Sequence, residues 1–425
     1  MSGLHDAIRS PDGAMTASSG VDMTQRPWGS VTPYDDCRGE ISIVGVGESP
    51  HSANSGRDPV QMAIEAVTRA LDDAGLRADQ VDGLMFNGYM HGQLDAAAFH
   101  RHFGTKHDLW VSTEGGAMSW AATCAYTAAQ AIRAKKASTI VNVFSIDWAT
   151  TSKAEGATPG DSHRLETMKA NLEVPFGWYP QPVYFATIAR RHMHEFGTTA
   201  AQLGNIAVTL RRHANGHPGA VMHDKQFSLD DYLSQRPFIE PLRLNDCCLI
   251  SDGAAAFVMT SSERARDFRK PPVTVLGVAE AQSGTGYYWS QQQPFTSTPQ
   301  VFSAPAAYAM AGIDSSAVDV LAVYDPFTIV ALMQIEDMGF CRKGEGGSFV
   351  EGDRLYFKSS RRTGGLPFNT HGGLLSHAYV LGISHVVELV RQLRGEAHNQ
   401  VEKPEIAVYG GYTGGLASTL VLGKG

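Results

Sequence analysis

Residues 116 to 147 read GAMSWAATCAYTAAQAIRAKKASTIVNVFSID, an alanine-rich helix running directly into a β-branched strand. Small side chains on nearly every face let neighbouring backbones approach, so this helix is expected to be central and buried. The same alternation extends to both sides. ISIVGVGESP (41 to 50) is a short β-branched run closed by glycines. DPVQMAIEAVTRALDDAGLRADQVDGLMFNG (58 to 88) carries apolar residues at helical spacing, a stop at Gly75 and a further apolar run. Residues 151 to 240 break the rhythm with GATPGDSH, VPFGWYPQP and the polar helix ATIARRHMHEFGT, and are expected to be an inserted loop region over one end of a sheet. CCLISDGAAAFVMTSSERARD restores a buried strand, and KPPVTVLGVAEAQSG opens a second alternation. It continues as helix 300 to 312, strand VLAVYD, helix PFTIVALMQIEDMG, helix 380 to 394 and strands EIAVYGG and ASTLVLGK. Two halves with the same order of elements suggest duplication, with weak direct repetition between them. The expected division is an extended N-terminal arm over 1–40, a first half over 41–268 that includes the region 151–240, and a second half over 269–425.

Composition bounds the function. The 425 residues are 43% hydrophobic and 18% charged, enough for a large core in two or three domain-sized units. A formal charge of -8 and a pI near 6.0 give no basic footprint for nucleic acid. No apolar run approaches the roughly 20 residues of a membrane helix, and the N-terminus lacks a signal-peptide layout, so no membrane association and a cytoplasmic location are expected. Cys37, Cys124, Cys247, Cys248 and Cys341 are odd in number and show no metal-ligand spacing, so reduced, mostly buried thiols are expected. His192 and His194 are not the i, i+4 pair of a helical zinc site and are assigned to a solvated helix face, and no metal is expected. CRKGEGGSFVEGDR lacks the order of a phosphate loop.

Six segments then carry a resemblance. ISIVGVGESP, ARRHMHEFGTTAAQLGNIAV, PLRLNDCCLISDGAAAFVM, YDPFTIVALMQIEDMGFCRKGEGG, FNTHGGLLSHAYVLG and GGYTGGLASTLVLGK resemble, in order, landmarks of the thiolase superfamily and its sterol-carrier or lipid-transfer branch. The resemblance implies an α/β fold of two similar βαβ-type halves in a layered αβαβα arrangement, a homodimer, and an acyl-CoA thioester substrate.

The departures from that family decide the chemistry. Where active thiolases carry the nucleophilic cysteine, at the start of the buried helix, this chain has Met118, flanked by Ala117 and Ser119. A thioether has no proton to lose and cannot accept an acyl group. Cys124 lies six residues on, about 9 Å along the helix and turned by roughly 240°, and is read as a buried apolar residue. Alignment on Leu381 and Gly382 puts Tyr379 of HAYVLG at the family's Gly-His-Pro histidine, with His377 two residues earlier. In VYDPFT, Tyr324 takes the place of another family histidine. YGGYTGG (409 to 415) keeps the glycines of the last signature without its cysteine, and either Tyr409 or Tyr412 stands nearest the lost position.

Acyl-enzyme chemistry is therefore disfavoured, while the glycine frame that lets backbone amides face a developing oxyanion persists. A retro-aldol cleavage needs an enolate-stabilising site and two proton-handling groups, without a covalent nucleophile. The sequence resembles the bacterial thiolase-like aldolases that remove side chains from steroid acyl-CoA esters. On that resemblance Tyr324 and Tyr379 are the acid-base pair, with His371 and His377 expected to tune or relay protons to phenols whose ordinary pKa is near ~10. Met118, Asn369, Gly372, Gly373, Tyr409, Tyr412 and Gly414 are the expected substrate-binding positions. Asp325 is assigned as cap of the following helix, and Asp246 and Asp252 as structural. No cofactor is expected beyond the CoA of the substrate. The subgroup implies a hetero-oligomer with a small zinc-ribbon/OB-fold protein. A thiolase or acyltransferase with an unrecognised nucleophile, and a non-catalytic acyl-CoA or lipid-binding scaffold, remain as alternatives.

Overall fold

The computed structural model describes residues 28–88, 90, 92–155, 169–284, 289–292 and 294–425. Residues 1–27 of the expected arm lie outside them. Among the described residues the strands are β1 (Gly29–Val31), β2 (Ile41–Glu48), β3 (Gly83–Asn87), β4 (Trp110–Glu114), β5 (Thr139–Asp147), β6 (Asp252–Ser261), β7 (Val273–Ser283), β8 (Val320–Val323), β9 (Ile406–Thr413) and β10 (Leu416–Lys424). The helices are α1 (Pro59–Ala74), α2 (Ala96–Phe103), α3 (Ala117–Arg133), α4 (Trp148–Glu155), α5 (Gln181–Phe196), α6 (Ala200–Asn215), α7 (Leu229–Ser234), α8 (Ser262–Ala265), α9 (Gln300–Ala311), α10 (Thr328–Asp337), α11 (Gly346–Phe349) and α12 (Ile383–Arg394).

The strands pair in two runs, β4-β3-β5-β6-β2 and β7-β10-β9-β8, with β1 antiparallel on β7. The runs meet where Ser42 and Ile43 pair with Thr274 and Val273. Strand alternation sorts each run's side chains to two faces. Ile41, Ile43, Phe257 and Met259 join Trp120, Ala121, Ala125 and Ala128 of α3 in one core, while Val44, Ala256 and Val258 pack with Met62, Ala66 and Val67 of α1 in another. In the second run Val320, Ala322, Ala407 and Tyr409 face the α3 core, and Leu321, Val323 and Val408 face Ala304, Ala307 and Leu332 of α9 and α10. Helices α3 and α12 thus lie between two sheets, with α1 and α9 outside them, giving the αβαβα layering. The alanine-rich helix is central and buried, as its composition predicts.

Each half uses the same device to seat its outer helix. A Cβ at Gly45 of β2 would stand 2.2 Å from the Ala70 carbonyl of α1, and one at Gly277 of β7 would stand 2.2 Å from the Ala307 carbonyl of α9. Only glycine permits these strand-to-helix contacts. Helix α1 starts with the Asp58 carboxylate accepting from the Val60 amide at 2.7 Å and ends at Gly75 with φ 73°, the stop read from the sequence.

Two expectations are corrected. The described part of 151–240 is largely helical, because α5 and α6 bury Tyr184, Phe185, Ile188, Leu203, Ile206 and Leu210 against α10. His192 is not solvated. It is fully buried, with Nδ1 on the Thr198 hydroxyl at 2.8 Å and Nε2 on Glu336 at 3.1 Å.

Glu388 on α12 is 2% exposed, accepts from the Thr370 hydroxyl at 2.6 Å and the Gln392 amide at 3.1 Å, and keeps a second carboxylate oxygen without a partner. Burial pushes its carboxyl up from 4.5 to about 7. The folded chain therefore holds this proton more tightly than the unfolded chain, so the associated stability is full at low pH and is lost as pH rises through about 7. Glu388→Gln is expected to flatten the stability profile between pH ~5 and ~8 by about 2–3 kcal/mol. Urea unfolding at both pH values checks this, and an unchanged difference between parent and variant would contradict it.

Candidate active site

Tyr324 directly follows β8, and its amide donates to the Gly410 carbonyl of β9 at 2.8 Å. Tyr379 follows a π-helical turn, Gly373–His377, and its amide donates to the Ser251 hydroxyl at 2.7 Å. Although far apart in sequence, the two phenols meet: their hydroxyls are hydrogen-bonded at 2.9 Å. Both are buried, and Trp148 packs its ring 4.6 Å from that of Tyr379. Burial raises both phenol pKa values; Tyr379 and Cys248 raise that of Tyr324 further, while for Tyr379 Cys248 adds to the rise and the hydrogen bond with Tyr324 opposes it. The pair is therefore held protonated. This reverses the expected tuning toward neutrality.

The first turn of α3 closes against β9. The Tyr409 hydroxyl donates to the Met118 carbonyl at 2.5 Å, and a Cβ at Gly411 would stand 2.1 Å from that same oxygen. Met118 is thus held at the start of α3 by β9. Of the two tyrosines that the alignment left open, Tyr409 reaches this position. Tyr412 lies on the opposite face of the strand, in the core with α9 and α10, with its hydroxyl on Gln292 at 3.4 Å. Gly414 sits in the β9–β10 turn with φ 55°.

The segment before Tyr379 is tied down from inside. Asn369, with φ 41°, accepts from the Val323 amide at 2.8 Å and donates to the Val323 carbonyl at 3.0 Å. Its amide is taken up by β8, so it orients the loop and is not presented to a ligand. Gly372 and Gly373 have φ 113° and 60°, and a Cβ on Gly373 would lie 2.1 Å from Asp325 Oδ2. Asp325 does not cap α10, whose N-cap position is Phe327. It is fully buried and accepts from the Leu374 amide at 2.9 Å and pairs with His385 Nε2 at 3.0 Å. The reason is topological: the loop 369–377 folds back over the end of β8 and needs an acceptor there.

His371 and His377 meet edge to face at 4.9 Å between ring centroids, and neither ring hydrogen-bonds to a phenol. Burial pushes both well below the ordinary histidine range, so both rings are neutral. They belong to a larger cluster. His377 also contacts His51 and His217, each at 4.7 Å, and His371 contacts His385 at 4.8 Å. His51, His217, His385 and Trp148 were not singled out in the sequence, because no spacing links them.

No activated thiol stands nearby. Burial pushes Cys37 up to about 11 and Cys247 and Cys341 to about 12, and lifts Cys124 and Cys248 well above the ordinary thiol value. Asp246, assigned as structural, accepts from Tyr232 at 2.8 Å and Thr328 at 2.5 Å. Asp252 accepts from Ser55 and Thr150.

Residues 281–424 match the thiolase C-terminal domain-like family. A steroid side-chain-cleaving aldolase of Thermomonospora curvata is 33% identical over 399 residues, covering 91% of this chain and 98% of the relative. A 17-hydroxy-3-oxo-4-pregnene-20-carboxyl-CoA lyase of Mycobacterium tuberculosis is 34% identical over 398 residues, covering 91% and 99%. The chain belongs to the thiolase-like aldolases. A solved Ltp2-ChsH2(DUF35) aldolase superposes on this aldolase with a TM-score of 0.81 at 32% identity, covering 92% of this chain and 99% of that one. The enzyme is accordingly a carbon–carbon lyase of thiolase fold, and the thiolase and scaffold alternatives are set aside. Among the described residues, no helix of the aldolase is long and apolar enough to cross a membrane.

Because the Gly411 contact is with backbone, no side-chain rotation can relieve it. Gly411→Ala is expected to destabilise the aldolase by about 1–3 kcal/mol and to displace the first turn of α3. Thermal unfolding checks this, and a stability equal to that of the parent would show that β9 and α3 do not meet as described.

Proposed function

We propose that this aldolase cleaves the Cα–Cβ bond of a β-hydroxyacyl-CoA thioester whose acyl part is a steroid side chain, giving a ketone or aldehyde and a shorter acyl-CoA. The observation that carries the mechanism is the hydrogen bond between the Tyr324 and Tyr379 hydroxyls in a buried site without an activated thiol. The substrate class draws on the relatives, one described as a steroid side-chain-cleaving aldolase and the other by a 17-hydroxy carboxyl-CoA.

Retro-aldol cleavage moves one proton from the β-hydroxyl to Cα. As the O–H bond is lost, its electrons form the carbonyl of the leaving product, and the Cα–Cβ pair passes into the thioester enolate. The enolate is then protonated at Cα. A hydrogen-bonded phenol pair can carry this out as a relay: one hydroxyl takes the substrate proton while passing its own to the other, which delivers a proton to Cα. Each phenol ends with the proton count it began with. Such a relay needs no standing phenolate, which suits side chains whose pKa values are raised by burial. His371 and His377 then act as packing and positioning residues behind the pair, and no cofactor beyond the CoA of the substrate enters the reaction. Met118, Gly372, Gly373, Tyr409 and Gly414 frame the acyl-CoA side of the site in this reading.

The reading extends to assembly. The enzyme works in the cytoplasm as a homodimer joined to a small zinc-ribbon/OB-fold protein that helps to hold the CoA part. The solved neighbour's description as an Ltp2-ChsH2(DUF35) aldolase supports a second subunit of the DUF35 kind. Co-expression with such a protein is expected to yield one assembly of higher mass and turnover than the chain alone. Equal turnover with and without it would remove the partner from the mechanism.

Tyr324→Phe and Tyr379→Phe are each expected to lower turnover by roughly 10² to 10⁴-fold with little change in acyl-CoA binding. The parental rate should stay level up to pH ~9, since neither phenol ionises below that. Mass identification of the ketone and the shortened acyl-CoA reads both. Parental turnover in both variants would assign the phenols to the core and refute the relay.

A further inference from the structure

The histidine cluster borders a cavity that neither Tyr324 nor Tyr379 lines. A cavity of about 440 Å³ is lined by Glu48 at the end of β2, His51 just after it, His217 in the segment after α6, and His377 in the turn that leads to Tyr379. One donor atom each from Glu48, His51 and His377 lies within 4.8 Å of the other two.

These groups lack the partners that buried polar atoms ordinarily find. His377 is 1% exposed and neither of its ring nitrogens has a hydrogen-bond partner. The Nε2 atoms of His51 and His217 are also without one. Leaving a buried polar atom unsatisfied is costly, so four such nitrogens around one cavity call for a ligand. The rings meet edge to face, at 4.7 Å for His51 with His377 and 4.7 Å for His217 with His377, and they do not hydrogen-bond to one another.

We propose that Glu48, His51 and His377 form a binding site for a divalent transition-metal ion of the zinc class, with the fourth position open to the cavity. Two imidazoles and a carboxylate are a zinc-type donor set, whereas magnesium and calcium take all-oxygen shells. Donors around a tetrahedral ion stand roughly 3.4 Å apart, so the donor separations shorten by up to about 1.4 Å onto it. An outer support is present. Arg391 holds Glu48 Oε2 at 2.5 Å while Oε1 faces His51 Nε2 at 3.9 Å, as orienting groups behind metal ligands do. The His377 carbonyl accepts from the Val221 amide at 2.8 Å, so an ion on His377 pins the end of β2 and the segment after α6 to the turn that carries Tyr379.

The test uses the purified full chain, with its partner where the two co-purify. After treatment with a chelator, titration with cobalt(II) should give one equivalent per chain with the visible absorption of a low-coordinate nitrogen and oxygen shell, and zinc should raise the unfolding temperature. His51→Ala and Glu48→Gln should each bind one equivalent less than the parent, whatever zinc a partner contributes, or bind at least ~10²-fold more weakly. Equal metal content and spectra in parent and variants would overturn the proposal. So would a chelator-treated parent that takes up no cobalt at this stoichiometry, a result that needs no variant to fold.

Discussion

The carbonyl of Met118 is the contact on which the active site is built. It receives the Tyr409 hydroxyl at 2.5 Å and lies so close to Gly411 that a side chain there would stand 2.1 Å away. This seam holds the start of α3, from the first half of the chain, against β9, from the second. Everything at the site is referenced to β9. Tyr324 is tied to Gly410 at 2.8 Å, and the loop carrying Tyr379 is tied through Asn369 to Val323, the strand residue beside it. Small residues in α3 make that approach possible, and the resulting exclusion of water gives the phenols their raised pKa values.

A dry site constrains the chemistry as strongly as the loss of the nucleophile does. A thiolate or a phenolate in these surroundings would be an uncompensated buried charge, and the thiols and phenols around Tyr324 and Tyr379 are all pushed toward their neutral forms. Retro-aldol proton transfer through two neutral hydroxyls avoids a standing charge on the protein. The replacement of cysteine and histidines by methionine and tyrosines is therefore one coherent change.

Much of this was legible in sequence, but unevenly. The alanine-rich helix, the stop at Gly75 and the two-half order follow from local pattern, and local pattern is what periodicity reports. The positions of Tyr324 and Tyr379 came from motif register, and their contact follows from topology. Asp325 misled because Asp before Pro-Phe-Thr satisfies the capping rule, yet the returning loop claims its carboxylate through Leu374 and His385. His192 misled because a polar helix segment reads as solvated, whereas Glu336 on α10 receives it in the interior. The choice between Tyr409 and Tyr412 required only strand parity once β9 was placed, since residues three apart face opposite sides. His51 and His217 had no local signal, because their relation to His377 exists only after folding.

The two halves do not divide the chemistry evenly. Both phenols and the loop that positions Tyr379 come from the second half, while the first contributes the start of α3, Trp148 against the Tyr379 ring and Ser251 on its amide. The symmetric features, Gly45 under α1 and Gly277 under α9, serve packing alone. The frame of two similar halves thus keeps its symmetry where helices seat on sheets and loses it where the proposed relay moves protons. Both hydroxyls of the hydrogen-bonded pair are supplied by one half. The other half is then free to wall the pair from water.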